Sequence, residues 1–165
     1  MIHINIATEK DFLTIQAIAH QTWYPTFGDI LSKEQIKYML EMMYSIDAIT
    51  EQVSKKSHVF LIAKQGEDSL GYASYEHGYK GTNKTKLHKI YILPTAQGKG
   101  VGKVLINEII KIAKKQGSGV LSLNVNRNNK AIDFYERIGF EKVGTEDIDI
   151  GNGFLMEDFI MEMKI

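Results

Sequence analysis

The run from Leu87 to Lys103, L-H-K-I-Y-I-L-P-T-A-Q-G-K-G-V-G-K, constrains the fold more than any other stretch. Leu87 to Leu93 has the apolar, β-branched character of a strand, and Pro94 stops it. Gly98, Gly100 and Gly102 follow, and then Val104, Leu105, Ile109, Ile112 and Ala113 mark a long amphipathic helix. Glycines at alternate positions remove side chains where the backbone curls and where a ligand comes close. The first-turn N–H groups of the helix have no intrahelical partner, so with the helix dipole they form a seat for a phosphate or pyrophosphate. Lys99 and Lys103 add positive charge beside it. Taken alone, the glycines are equally well explained by a tight turn that binds nothing. The Walker pattern G-x-x-x-x-G-K-S/T is absent. A dinucleotide-binding βαβ unit fits poorly, because its loop belongs on the first βα turn and this one lies past the midpoint of the chain.

A second informative run is N-N-K-A-I-D-F-Y-E-R-I-G-F, Asn128 to Phe140. Asn128 has the character of an N-cap for a short helix with Ala131, Ile132, Tyr135 and Ile138 near one face, and Gly139 supplies the stop. On these residues alone Tyr135 is a packed aromatic whose hydroxyl reaches the surface.

The rest of the chain supplies a frame for these two runs. Ile2, Ile4 and Ile6 alternate with His3 and Asn5 as a first strand, and Thr8 with Asp11 forms a capping box for a helix carrying Phe12, Ile15, Ile18 and Ala19. That helix is expected to end before Pro25. Ser32 opens a second helix and Ser45 a third. His58 to Ala63 and Leu70 to Glu76 read as a hairpin around Q-G-E-D-S. Val120 to Val125, Phe140 to Val143 and Phe154 to Met163 complete the strands. The predicted fold is α+β, a three-layer arrangement with a mixed, mostly antiparallel sheet of six to seven strands and helices on both faces. With only two prolines, no linker and no repeat, residues 1–165 read as one domain.

Lys plus Arg and Asp plus Glu number 20 each, so no net positive charge argues for a nucleic acid or an anionic membrane as partner. The absence of cysteine excludes disulfides, thiolate metal sites and a cysteine nucleophile. No signal-peptide pattern and no run of about 20 apolar residues is present, so the expected location is the cytoplasm. A homodimer is compatible with everything above.

With both motifs in view, the chain resembles the GCN5-related N-acetyltransferase (GNAT) superfamily. Its central motif, Q/R-x-x-G-x-G/A, is matched by Gln97, Gly100 and Gly102, and its later N-x-x-A-x-x-x-Y-x-x-x-G-F by Asn128, Ala131, Tyr135, Gly139 and Phe140. The element order is similar over essentially the whole chain. The resemblance implies acetyl-CoA as cosubstrate and no metal. It implies that Ile90, Tyr91 and Ile92 offer backbone groups to the pantetheine, and that Gln97, Gly98, Lys99, Gly100, Val101, Gly102 and Lys103 wrap the pyrophosphate. Asn128 touches the pantetheine side, and Tyr135 protonates the departing thiolate. Many relatives carry a glutamate on the strand before the glycine loop. Lys86, His88 and Lys89 stand there instead, which makes His88 the expected base, beside a plain half-exposed strand histidine or a water chain as alternatives.

The acceptor is expected where the N-terminal helices meet the sheet. Trp23, Tyr24 and Phe27, in what reads as a loop, offer aromatic faces to an ammonium or else plug the core. The C-terminal run is similar, more loosely, to the bacterial polyamine and diamine acetyltransferase subgroup. Asp147, Asp149, Glu157 and Asp158 are then candidates to hold a polyamine, or form a solvated face. The leading expectation is acetyl transfer to a small primary amine. The alternatives are a protein N-terminal or lysine acetyltransferase and a catalytically silent acyl-CoA-binding regulatory module.

Overall fold

The computed structural model describes residues 1–165. Its strands are β1 (His3–Ile6), β2 (Val59–Gln65), β3 (Asp68–Glu76), β4 (Lys84–Ile92), β5 (Val120–Asn126), β6 (Glu141–Gly151) and β7 (Phe154–Lys164). Its helices are α1 (Phe12–Phe27), α2 (Lys33–Tyr44), α3 (Ile46–Ser54), α4 (Val101–Lys115) and α5 (Ala131–Ile138). The strands form one seven-stranded sheet in the order β1-β2-β3-β4-β5-β7-β6. Only the β4–β5 pair is parallel. No helix is long and apolar enough to cross a membrane.

Period-2 alternation sends the two faces of the sheet into separate cores. Leu61, Ala73, Leu87, Leu121, Leu123 and Met161 pack under α4 and α5, which contribute Leu105, Ile106, Ile109, Ile132 and Tyr135. Phe60, Ile62 and Tyr72 face the other way, against Ile15, Ala19 and Trp23 of α1, Ile36 and Leu40 of α2 and Ile49 of α3. Each fully buried Leu, Ile or Phe contributes about 1.5–3 kcal/mol, so both helical layers are held chiefly by apolar burial. The Tyr72 and Tyr44 hydroxyls meet at 2.6 Å inside the second core and satisfy one another there.

Local signals place most of the ends. Thr8 N–H donates to Asp11 Oδ2 at 2.8 Å, closing the expected capping box ahead of α1. Ser32 and Ser45 accept from the Gln35 and Ala48 amides, both at 3.1 Å, and start α2 and α3. Three expectations need correction. First, α1 does not stop before Pro25 but runs through it to Phe27. A proline inside a helix costs about 3 kcal/mol, but here it removes only one bond in the last turn. Trp23 and Phe27, buried and with ring centroids 4.6 Å apart, hold that turn against the core. Second, α5 begins at Ala131, and it is the Asn129 side chain, not Asn128, that accepts from the Ala131 amide at 2.9 Å. Third, β6 extends to Gly151, well beyond Val143. Asn152 and Gly153, both at positive φ, make a two-residue turn that pins Gly151 opposite Phe154.

One irregularity opens the middle of the sheet. Ser74 pairs with Lys89 and Tyr75 with Leu87, so His88 is the extra residue of a β-bulge. Up to Leu87, β4 pairs with β5; beyond that point β4 stays with β3, and β5, from Asn124 to Asn126, stays with β7. Between these stretches the two central strands part.

Candidate active site

The parted strands open a cavity of about 1180 Å³ that passes from the glycine loop, through the gap, to the face covered by α1 and α2. At its first end Gly100 caps α4 in the left-handed region at φ 78°, where a side chain would be strained. The first loop-to-helix bond runs from the Val104 N–H to the Gly100 carbonyl at 3.1 Å. The amides of Val101, Gly102 and Lys103 precede it and are free for an anion. Gly102 differs: its backbone is ordinary helix, and a Cβ there would meet Phe134 Cζ at 3.4 Å, an ordinary contact, so a side chain at this position would reach towards the loop without breaking the packing of α4. Gln97, Gly98, Gly100, Val101, Gly102 and Lys103 all line this end of the cavity, and Lys99 does not.

Ile90, Tyr91 and Ile92 of β4 line the gap, facing Asn124, Val125 and Asn126 of β5. The β5 side of β4 has no sheet partner here, so its backbone donors and acceptors are available to an extended ligand. Asn128 also lines the cavity. Its own N–H is turned inward to the Asn126 side chain at 2.9 Å, and its side chain, relieved of capping, is left for a ligand. Tyr135 reaches the gap from α5, its ring between Phe134 and Phe140 with both centroids 5.6 Å away. Burial raises its phenol far above the ordinary range, so the hydroxyl keeps its proton at any physiological pH. Tyr91 is raised as well, first by burial and then by Tyr44, Tyr135 and Asp158. Tyr91 therefore lies within electrostatic reach of both the Tyr135 phenol and the Asp158 carboxylate.

The far end is walled by aromatic and apolar side chains. Trp23 and Phe27 line it from the last turn of α1 rather than from a loop, while Tyr24 points to solvent outside the cavity. Met39 and Tyr44 come from α2, and Ile148, Ile150 and Met156 from the β6–β7 hairpin. That hairpin is tied to α2, since Tyr38 donates to the Ile150 carbonyl at 2.7 Å and Gln35 Nε2 to the Leu155 carbonyl at 2.9 Å. Of the four acids expected near the acceptor, Asp147, Asp149 and Glu157 are exposed, and Asp147 pairs with Arg127. Only Asp158 is buried and lines the cavity.

His88 lies at the bulge, on the α1–α3 face. Its Nε2 meets Glu76 Oε1 at 2.9 Å and its ring stacks on His58 with centroids 3.9 Å apart. Burial drives its pKa far below the ordinary imidazole value, and His58, Lys89, Lys86 and Lys56 push the same way. One carboxylate opposes three ammonium groups, so the ring stays neutral and is a weak proton acceptor. His58 is likewise lowered, to about 4. His58, Glu76 and His88 have the composition of a metal site, with ligand atoms within 4.8 Å of one another, but the surrounding lysines oppose a dication. The Glu76 and His58 side of this cluster was not legible in the sequence. It depends on a bulge and a three-strand register that no local pattern encodes.

With this geometry in place, the comparisons with known proteins agree on its class. The acetyltransferase (GNAT) family model matches residues 17–140, so the chain belongs to the acetyltransferase (GNAT) family, as an N-acetyltransferase. Over 161 residues it is 29% identical to a spermidine N(1)-acetyltransferase of Thermoplasma acidophilum, covering 94% of this chain and 96% of that protein. A crystal structure of a PaiA N-acetyltransferase from the same organism, in complex with coenzyme A, superposes with a TM-score of 0.83 at 30% identity. That match covers 100% of this chain and 99% of the other. A ribosomal protein bS18 alanine N-acetyltransferase of Haemophilus influenzae is 43% identical over 61 residues, which are 37% of this chain and 42% of that protein. The mostly antiparallel sheet with helices on both faces is the fold expected from the sequence.

Proposed function

We propose that this protein transfers the acetyl group of acetyl-CoA to a primary amine on a small molecule, a polyamine being the best-supported class. The observation that carries the reading is the wall of the acceptor end: the β6–β7 hairpin, bonded to α2 through Tyr38 and Gln35, bounds the cavity on the side opposite Trp23 and Phe27 of α1 and narrows it to a pocket between them. A peptide or protein acceptor needs an open groove there. The near full-length sequence similarity to a spermidine acetyltransferase supports the same class, whereas the sequence match to the Haemophilus influenzae bS18-alanine enzyme spans about a third of this chain.

The residues present fit acetyl-CoA. The Val101, Gly102 and Lys103 amides, with Lys103, hold the pyrophosphate at the N-terminus of α4. The unpaired edge of β4 from Ile90 to Ile92 takes the pantetheine as an added strand, with Asn128 on the opposite wall. The acceptor amine enters from the α1–α2 face, where aromatic rings favour a cation. It attacks the thioester carbonyl directly across the gap. Free backbone N–H groups on β4 offset the charge that develops on the carbonyl oxygen. Tyr135, kept protonated by its burial, gives its proton to the leaving sulfur. Most of the rate enhancement comes from holding the two reactants in line. A screen of amines, amino acids and peptides by thiol release tests the assignment. Turnover of spermidine or a short diamine is the expected result. Turnover of peptides alone refutes the small-molecule reading, and coenzyme A binding without turnover of any acceptor makes the chain a silent acyl-CoA binder.

A further inference from the structure

We propose that Asp158 is the group that receives the acceptor's ammonium at the gap and takes the first proton from it. This assignment rests on the small-amine reading above and supplies the proton acceptor that His88, held neutral against Glu76, is poorly suited to be.

The cavity wall contains two carboxylates, Asp29 and Asp158. Asp29 is exposed just past the end of α1, where water compensates its charge. Asp158 is 5% exposed, on β7 directly opposite Asn126 of β5, at the level where β4 and β5 have parted. It is also poorly compensated. Oδ2 accepts one long bond from Asn124 Nδ2 at 3.3 Å, and Oδ1 is buried with no hydrogen-bond partner at all. Leaving a carboxylate oxygen buried and unpaired is costly, and a fold tolerates it where a ligand supplies the missing donor. The donor that fits is a cation with N–H groups. Rotation about the terminal Asp torsion, which has broad minima, brings either oxygen to the cavity wall.

The surroundings keep this carboxylate from being neutralised by the protein itself. Glu146, facing it from β6, competes for the same Asn124 amide at 2.8 Å. Lys86 of β4 spends its ammonium on Asn124 Oδ1, and Arg127 donates to the Asp158 backbone carbonyl at 3.2 Å and to the Asp147 side chain. The Tyr91 phenol also lies within electrostatic reach of this carboxylate. Burial, reinforced by Glu146, raises the Asp158 pKa, which brings the carboxylate closer to a working base.

The protons balance as follows. An acceptor R–NH3⁺ carries three: one passes to Asp158 before attack, leaving a nucleophilic R–NH2. As the C–N bond forms and the C–S bond breaks, Tyr135 gives its proton to the sulfur and takes the second proton from the nitrogen in its place, ending the turnover protonated. The third stays on the amide nitrogen. Asp158 returns its proton to solvent, so each turnover yields amide, thiol and one H⁺.

Asp158→Asn in the full chain is the test, read by four measurements. Coenzyme A affinity should stay within about twofold. Affinity of the coenzyme A complex for spermidine and for butylamine, by calorimetry, should fall more than about tenfold. kcat/KM should fall about 10²-fold at neutral pH and recover as rising pH supplies free amine. The melting temperature should rise at neutral pH, because an uncompensated buried charge is gone. Amine affinity and kcat/KM both within about threefold of the parent overturn the assignment. So does a parent complex that binds neither amine, or a lowered melting temperature that accompanies the loss of activity. Amine binding by the parent that is lost in the variant, with no acetyl transfer by either, upholds the site and overturns the transferase reading instead.

Discussion

Replacing Tyr135 by Phe removes one hydroxyl and leaves the ring's packing between Phe134 and Phe140 in place. If that hydroxyl protonates the departing sulfur, the loss falls on chemistry alone. General acid catalysis is worth about 10²–10⁴-fold, and the free-thiol leaving group is only weakly basic, so the lower end applies: about 10²-fold in kcat, or about 2.7 kcal/mol of barrier. Coenzyme A affinity should be unchanged, and stability should shift by no more than about 1 kcal/mol, the net worth of a single hydroxyl contact. The pH dependence is also constrained. Burial keeps the Tyr135 phenol protonated far above its ordinary range, so the parent's kcat should show no alkaline loss from this group up to about pH 9. Stopped-flow thiol release at saturating substrates, with single-turnover controls, measures the step. Turnover by Tyr135→Phe within about threefold of the parent from about pH 6 to about pH 9 would show that the hydroxyl plays no part in the proton's path.

Gly102→Glu, whose backbone is ordinary helix, should lower coenzyme A affinity at least about tenfold while the protein stays folded, because the carboxylate enters the anion seat; unchanged calorimetric affinity refutes the loop assignment. Trp23→Ala should cost about 3–5 kcal/mol in denaturant unfolding and raise KM for the best amine, since the indole both fills the second core and walls the cavity. A stability change under about 1 kcal/mol would contradict its burial. Lys89, pushed down to about 7 by burial and next by Lys56, binds its proton less tightly folded than unfolded. Between about pH 7 and about pH 10 the unfolded chain therefore holds the extra proton, and the parent's stability should climb with pH across that window. Lys89→Met should be more stable than the parent at neutral pH and lose that advantage towards about pH 10; parallel stability curves for the two proteins would refute the shift.

Much of this architecture was legible before any coordinates, wherever the signal is local. Thr8 with Asp11, Ser32 and Ser45 announce helix starts because a side-chain oxygen satisfies an amide three residues on, an interaction contained within one turn. The glycine loop is legible for the same reason: its positive φ values and its free amides belong to consecutive residues. The Asn152–Gly153 turn is equally local and fixes the end of β6 at Gly151, although the acids that alternate with isoleucines before it suit a solvated stretch as well as an edge strand.

What the sequence determined by itself, then, is each feature whose cause lies within a few residues: the caps, the glycine seat, the alternating strands and the two motifs that mark the family. Tertiary structure alone decided the rest. The proline-bearing turn of α1 persists because Trp23 and Phe27 find Tyr44 and Tyr91 to pack against, a gain that no helix rule contains. The bulge at His88 parts β4 from β5 through register with β3. One-residue alternation along two paired strands, β6 and β7, separates Asp158, buried at the gap, from Asp147, Asp149 and Glu157 in water. In sequence these four acids look alike. Their solvation and partners depend on which face of the sheet each one meets, and that is set by pairings between residues far apart in the chain.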